Sequence, residues 1–171
     1  SDEDIDMVRE VADAIAIAMQ QQQYLEIIEQ KSSDIQASIL YARRIQEAIL
    51  PPESMLIEQF DDVFVLYKPK DVLSGDFFWA EQRENLTYLA VCDSTGHGVP
   101  GALLSLMGNN LLNQAVHERN LVRPSSILDY LNAGIQHTLN QYKTAGELRD
   151  GMDIALCVFD HSKYKVQFAA A

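Results

Sequence analysis

From Asp4 to Ile49 the chain contains neither glycine nor proline, and this uninterrupted stretch restricts the fold more than any other feature. Through it runs a 3-4 spacing: Met7, Val11, Ala14, Ala18, Gln21, Leu25, Ile28, Ser32, Ile35, Ile39, Ala42, Gln46 and Ile49. Ten of those thirteen positions are apolar. A seam so narrow and so long is what two helices share in a coiled coil, and the polar Gln21, Ser32 and Gln46 can fix register there at some cost in stability. A helix packed on its own domain shows the same spacing but rarely continues beyond about 25 residues. Residues 1–50 are therefore expected to form a long linker helix that pairs with a second copy, and Pro51-Pro52 to end it, since proline removes an amide donor and restricts the residue before it.

A different grammar follows over residues 51–171. Asp62 to Lys68 is a continuous apolar run flanked by charge, the pattern of a strand buried on both faces. Asp76–Glu81 and Thr87–Cys92 read as two more strands around the polar turn Gln82-Arg83-Glu84-Asn85. Pro100 opens a helix with Leu103, Leu104, Met107, Leu111 and Ala115 on one face. Pro124 opens another with Ile127, Leu128, Leu131, Ile135 and Leu139, and both should lie on a sheet. Ile154–Phe159 and Tyr164–Phe168 read as a hairpin across Asp160-His161-Ser162-Lys163.

Charge and composition exclude several classes of function. The net charge of -12 divides evenly, with ten acids and four bases in residues 1–50 and fifteen acids and nine bases in residues 51–171. No basic patch remains to hold a phosphate backbone, so nucleic acid is not an expected partner. The start of the chain is acidic where a secretory signal is basic, and no stretch of about 18 apolar residues spans a bilayer, so a cytoplasmic protein without a membrane segment is expected. Cys92 and Cys157 lie in apolar runs and read as reduced, structural thiols.

Two aspartates stand out by position, because Asp76 begins one strand of the central hairpin and Asp93 follows the other. If the hairpin turns symmetrically about Glu84-Asn85, every cross-strand pair has numbers that add to 169, and Asp76 faces Asp93. Directly opposed residues share a face with Cα atoms about 4.5–5.5 Å apart, so two carboxylates meet at the open end of the hairpin. Such a pair persists at low cost only with a proton or cation between its members. Mg²⁺ or Mn²⁺ suits a site of a few carboxylates and a backbone carbonyl. Turn aspartates capping local amides are the alternative, and a three- or five-residue loop would spoil the pairing.

The run Asp93 to Gly101 also contains a literal G-x-G-x-x-G between a strand and a helix, the context of a dinucleotide fingerprint. No convincing parallel strand with a terminal acid follows it, since Glu118 has nearly the right spacing but reads as helical. The glycines equally let the backbone approach a bound ion and turn sharply into a helix. His97 has no Cys or His partner at metal spacing and is expected to make a local hydrogen bond.

These residues carry a resemblance. Ala42-Arg-Arg-Ile-Gln-Glu-Ala-Ile-Leu-Pro51 resembles the helix that enters SpoIIE-type phosphatase domains, and Lys68-Pro-Lys-Asp-Val-Leu-Ser-Gly-Asp-Phe-Phe78 resembles their first metal motif. Val91-Cys-Asp-Ser-Thr-Gly-His-Gly98 resembles the second, and Asp150-Gly-Met-Asp-Ile-Ala-Leu156 a later core segment. The resemblance covers residues 42–171 and implies an α+β fold of the PPM type, an α/β/β/α sandwich, here truncated because the family's C-terminal part has no counterpart. It implies a centre of two Mn²⁺ or Mg²⁺ ions with carboxylate ligands Asp76 and Asp93, also the catalytic residues, and the carbonyl of Ser94 as a further ligand. Asp153 falls near this centre without an assigned role. The implied activity is metal-dependent hydrolysis of phosphoserine or phosphothreonine on a regulatory protein such as an anti-anti-sigma-like partner. Residues 1–22 resemble the end of a GAF sensor domain. The competing expectation is a dimerising signal-transmission module with an incomplete, non-catalytic phosphatase domain.

Overall fold

A computed structural model describes residues 2–140 and 151–171, so Asp150 of the fourth motif lies outside the described residues. The chain divides into two compact units, Ser1–Tyr41 and Ala42–Ala171. The first is helical, part of α1 (Asp2–Ala48), and its Leu25, Ile28 and Ile35 are exposed. No helix among the described residues is long and apolar enough to cross a membrane.

The second unit is built on one antiparallel sheet of order β1-β2-β3-β4, with β1 at Phe77–Arg83, β2 at Leu86–Ser94, β3 at Met152–Asp160 and β4 at Lys165–Ala170. Helices α2 (Glu53–Gln59), α3 (Gly98–Asn113) and α4 (Pro124–Asn140) complete it, with a π-helical turn at Gln114–Glu118 extending α3. The β1–β2 register pairs Gln82 with Thr87 and Phe77 with Cys92, as the symmetric turn requires. The loop is the two-residue version, with Glu84 left-handed at φ 55°. Because β3 runs antiparallel to β2, the strand-helix-strand segment after the glycine run lacks the parallel crossover of a dinucleotide fold, which removes that reading.

Strand alternation divides the sheet into two faces. Phe77, Trp79, Tyr88, Ala90, Cys92, Ile154, Leu156 and Val158 form the inner face and join Leu112, Ala115, Val116, Ile127, Leu131 and Ile135 in one buried core. Each large side chain removed from water there contributes about 1.5–3 kcal/mol. The far end of the outer face is capped by α2 and the residue after it. Gln59 bonds to Gln82 at 2.8 Å and accepts from Thr87 at 3.3 Å, and Phe60 meets Phe159 edge-on at 5.0 Å.

Three expectations need correction. Residues 62–68 form no strand: Phe64 is 88% and Leu66 73% exposed. A strand needs a hydrogen-bonding neighbour as well as an apolar run, and this segment has no ladder partner among the described residues. Instead Tyr67 leans over the outer face, its ring 6.0 Å from that of Phe78. On α3 the buried face is made largely of small residues, Gly101, Ala102, Ser105 and Gly108 beside Leu104, Asn109 and Leu112, while Leu103 is 60% exposed. Close approach decides this, since a Cβ on Gly108 would stand 2.5 Å from the Met152 methyl and 3.1 Å from the Phe77 ring. Finally, Gln46, expected to fix register in a helix pair, is buried inside the second unit.

Candidate metal centre

The open end of the β1–β2 hairpin gathers the acids. Phe77 pairs with Cys92 at the last rung, so Asp76 and Asp93 stand one residue further along on the outer face. The register thus places the two carboxylates as direct neighbours across the hairpin, close enough for the Asp93 charge to act on Asp76. On the other side of β2, Asp93 is directly opposite Asp153, and outward-facing neighbours on adjacent strands set the three acids in a row along one rim. All three line a cleft of about 890 Å³ whose walls include Leu66, Phe78, Val91 and Ala155. Among the described residues no three carboxylate, imidazole or thiolate side chains converge on a single point. The row therefore offers a carboxylate pair with a third acid alongside.

The Asp76 carboxyl is pushed above its ordinary 3.8, first by loss of hydration, then by its hydrogen bond to Asp93 and by the Asp93 charge. Two carboxylates held this close favour a shared proton or a cation between them. The backbone holds the pair in place. Asp76 donates its amide to Ser74 Oγ at 3.0 Å and accepts at its carbonyl from Tyr67 Oη at 3.0 Å. Ser94 donates its amide to the Gly75 carbonyl at 3.3 Å.

Gly75 has no room for a side chain, since a Cβ there would lie 2.8 Å from the carbonyl oxygens of both Gly96 and Ser94. The glycine thus lets two carbonyl oxygens press toward the backbone beside Asp76. Gly96 and Gly98 take left-handed φ values of 88° and 66° as the chain turns into α3, a conformation that suits glycine. Thr95 ties the loop to the start of β3: its amide and Oγ1 donate to the Gly151 carbonyl at 2.9 and 2.8 Å, and Oγ1 accepts the Gly151 amide at 2.7 Å.

Asp76 and Asp93 are thus brought together as the register argument requires. The side chain of Ser94 faces inward, and its buried Oγ has no partner among the described residues. The Ser94 carbonyl oxygen lies against Gly75, 2.8 Å from where a Cβ on that residue would stand. His97 is hydrogen-bonded through Nδ1 to Asp71 Oδ2 at 3.0 Å, a partner 26 residues earlier and not the local one expected. Cys92 faces the core, and burial pushes its thiol up to about 12, so it is no nucleophile at neutral pH. Sequence reasoning left Asp153 without a role and missed Thr95 and Ser74. The register of a hairpin follows from its own turn, whereas the Asp93–Asp153 pairing spans two helices that carry no register signal.

The donor set, a carboxylate pair with a third carboxylate alongside, fits a hard divalent cation. Comparison with known proteins gives the class of the domain, a phosphatase type. The family model for stage II sporulation protein E (SpoIIE) matches residues 83–171, just over half of the chain. The chain belongs to the SpoIIE family, whose domain is of the PPM type and whose members generally use Mn²⁺ or Mg²⁺. The solved structure of the SiaA-PP2C domain of Pseudomonas aeruginosa is similar at 30% sequence identity with a TM-score of 0.71, over 82% of this chain and 55% of that one. The chain thus spans little more than half the length of that relative. No curated protein matches the sequence.

Proposed function

We propose that this chain carries the carboxylate rim of a protein serine/threonine phosphatase that hydrolyses phosphoserine or phosphothreonine on a regulatory protein. The observation that carries this reading is the juxtaposition of Asp76 and Asp93 at the open end of the hairpin. Asp76 and Asp93 hold the cation through charge, and the carbonyl of Ser94 offers a neutral oxygen beside them. Two divalent ions bound there would supply an activated water for in-line attack on phosphorus and positive charge for the phosphoryl oxygens. The family resemblance supports an anti-anti-sigma-like protein as substrate. The test is release of phosphate from a phosphoserine protein as Mn²⁺ is raised, using this chain and a chain extended to the full length of the SiaA-PP2C relative. Metal-independent turnover, or none in either chain, would remove the reading.

A second, non-catalytic reading is supported by the exposed apolar seam of Leu25, Ile28 and Ile35. In it the helix up to Tyr41, without the buried Gln46, pairs with a second copy as a coiled-coil linker, with residues 1–22 as the end of a GAF domain. Replacing Ile28 and Ile35 by Asp should convert a dimer to monomers in sedimentation. A monomeric wild type would end this reading.

A further inference from the structure

Gln46, in the last turn of α1 and within the second unit, is only 4% exposed. Its side-chain amide engages both backbone polar groups of one residue: Oε1 accepts from Ser74 N at 3.0 Å and Nε2 donates to Ser74 O at 2.5 Å. Nε2 also donates to Ser105 Oγ at 2.9 Å, while Ser105 Oγ donates to the Ala102 carbonyl at 2.8 Å. Every polar group in this buried cluster therefore has a partner, as burial demands. Ser74 in turn accepts the Asp76 amide on its own Oγ. Two successive hydrogen-bonded links join the end of the helix to the backbone of a rim carboxylate.

Between them lies Gly75, which has no room for a side chain because a Cβ there would stand 2.8 Å from the Gly96 and Ser94 carbonyl oxygens. Ser74 is tied to Asp76 by the bond from the Asp76 amide, and Gly75 to the residue after Asp93 by the bond from the Ser94 amide. A glutamine that only satisfied buried backbone groups would serve folding alone. This one holds the residue that orients Asp76.

We propose that Gln46 is a positioning residue for the carboxylate pair: by clamping Ser74 it sets where Asp76 stands relative to Asp93, and so the affinity of the rim for a divalent ion. The proposal rests on the metal-centre reading above. It is tested with Gln46→Met, which keeps the length of the side chain and removes its hydrogen bonds, and with Ser74→Ala, which cuts only the link to Asp76. Asn109→Ala is the control, because it removes the bond from Asn109 Nδ2 to the Ile49 carbonyl near the same helix end without touching Ser74.

Two quantities are read on the whole chain: amide hydrogen exchange in the metal-free protein, and Mn²⁺ binding by electron paramagnetic resonance. Gln46→Met and Ser74→Ala should each speed exchange at Asp76 beyond any change at Leu156 in the core, and each should weaken Mn²⁺ binding about tenfold, the low end for an outer-shell contact. Asn109→Ala should leave both readings at Asp76 unchanged. Uniform acceleration at Asp76 and Leu156 with unaltered Mn²⁺ affinity would overturn the proposal. If Gln46→Met does not fold, Ser74→Ala decides alone, and an unchanged Asp76 amide there overturns it. A wild type that binds no Mn²⁺ ends the metal-centre reading, and the exchange pattern then decides whether Gln46 positions Asp76.

Discussion

The two faces of the one sheet are made by alternate residues of the same strands, yet they have opposite fates. Leu156 on the inner face is 0% exposed, while Val91 on the outer face is 61% exposed. The inner face meets α3 and α4 and forms a closed core. The outer face is covered by α2 only at its far end and bears the acids at its other end, over a cleft walled by apolar side chains. Stability and chemistry are thus separated by the period-2 alternation of the strand, with Cys92 holding the core and the adjacent Asp93 serving the rim. An ion site needs charge, approach and partial hydration, which a dry core forbids.

The comparison is broken most directly from the inner side. Leu156→Ala should lower unfolding free energy by about 2–5 kcal/mol, the usual loss for a large core residue, read as a shift of the urea midpoint. A loss below about 1 kcal/mol would mean that the inner face is not the main source of stability. Next come the acids. Asp76→Asn and Asp93→Asn should each weaken Mn²⁺ binding by on the order of 100-fold or more, since even outer-shell contacts cost 10–100-fold, with circular dichroism unchanged. Near-normal affinity in either variant would show that the pair is not the anchor.

The same substitutions sharpen the comparison through stability. The raised Asp76 carboxyl favours the protonated form in the folded state, so its contribution is present at low pH and lost as pH rises through the folded value. Asp93→Asn should therefore raise the metal-free melting temperature at pH 7 and bring little gain at pH 3. An equal gain at both pH values would point to something other than relieved charge. Val91→Ala on the outer face should change stability by no more than about 0.5 kcal/mol, because the side chain is already largely in water. A loss rivalling that of Leu156→Ala would mean that the outer face is covered in solution.

The smallest effect belongs to the β3–β4 turn. Asp160 is drawn down to about 2 by hydrogen bonds from Ser162 Oγ and Lys163, aided by the Lys163 charge. Its stabilisation is present above the ordinary carboxylate range and fades as pH falls toward about 2. Asp160→Asn should accordingly be slightly less stable than wild type at pH 7, with the difference shrinking through pH 4 to 2. A difference that grows with acid would assign the wrong sign to this turn.

The sequence alone determined whatever depends on neighbours along the chain. The long helix follows from a run without glycine or proline, and the Asp76–Asp93 encounter from a hairpin whose two strands are joined by a two-residue turn, where counting residues is counting rungs. The resemblance that identifies the family also rests on contiguous motifs. Tertiary structure decided what depends on partners distant in sequence. It put Asp153 opposite Asp93 across an intervening helical stretch, turned Gln46 from a place in a helix seam to a clamp on Ser74, and left Asp62–Lys68 unpaired although its composition suits a strand. It also buried the small residues of α3 and exposed Leu103. The physical reason is common to all four: hydrophobicity states how much a residue gains by leaving water, but backbone pairing and close approach decide which residues have something to pack against.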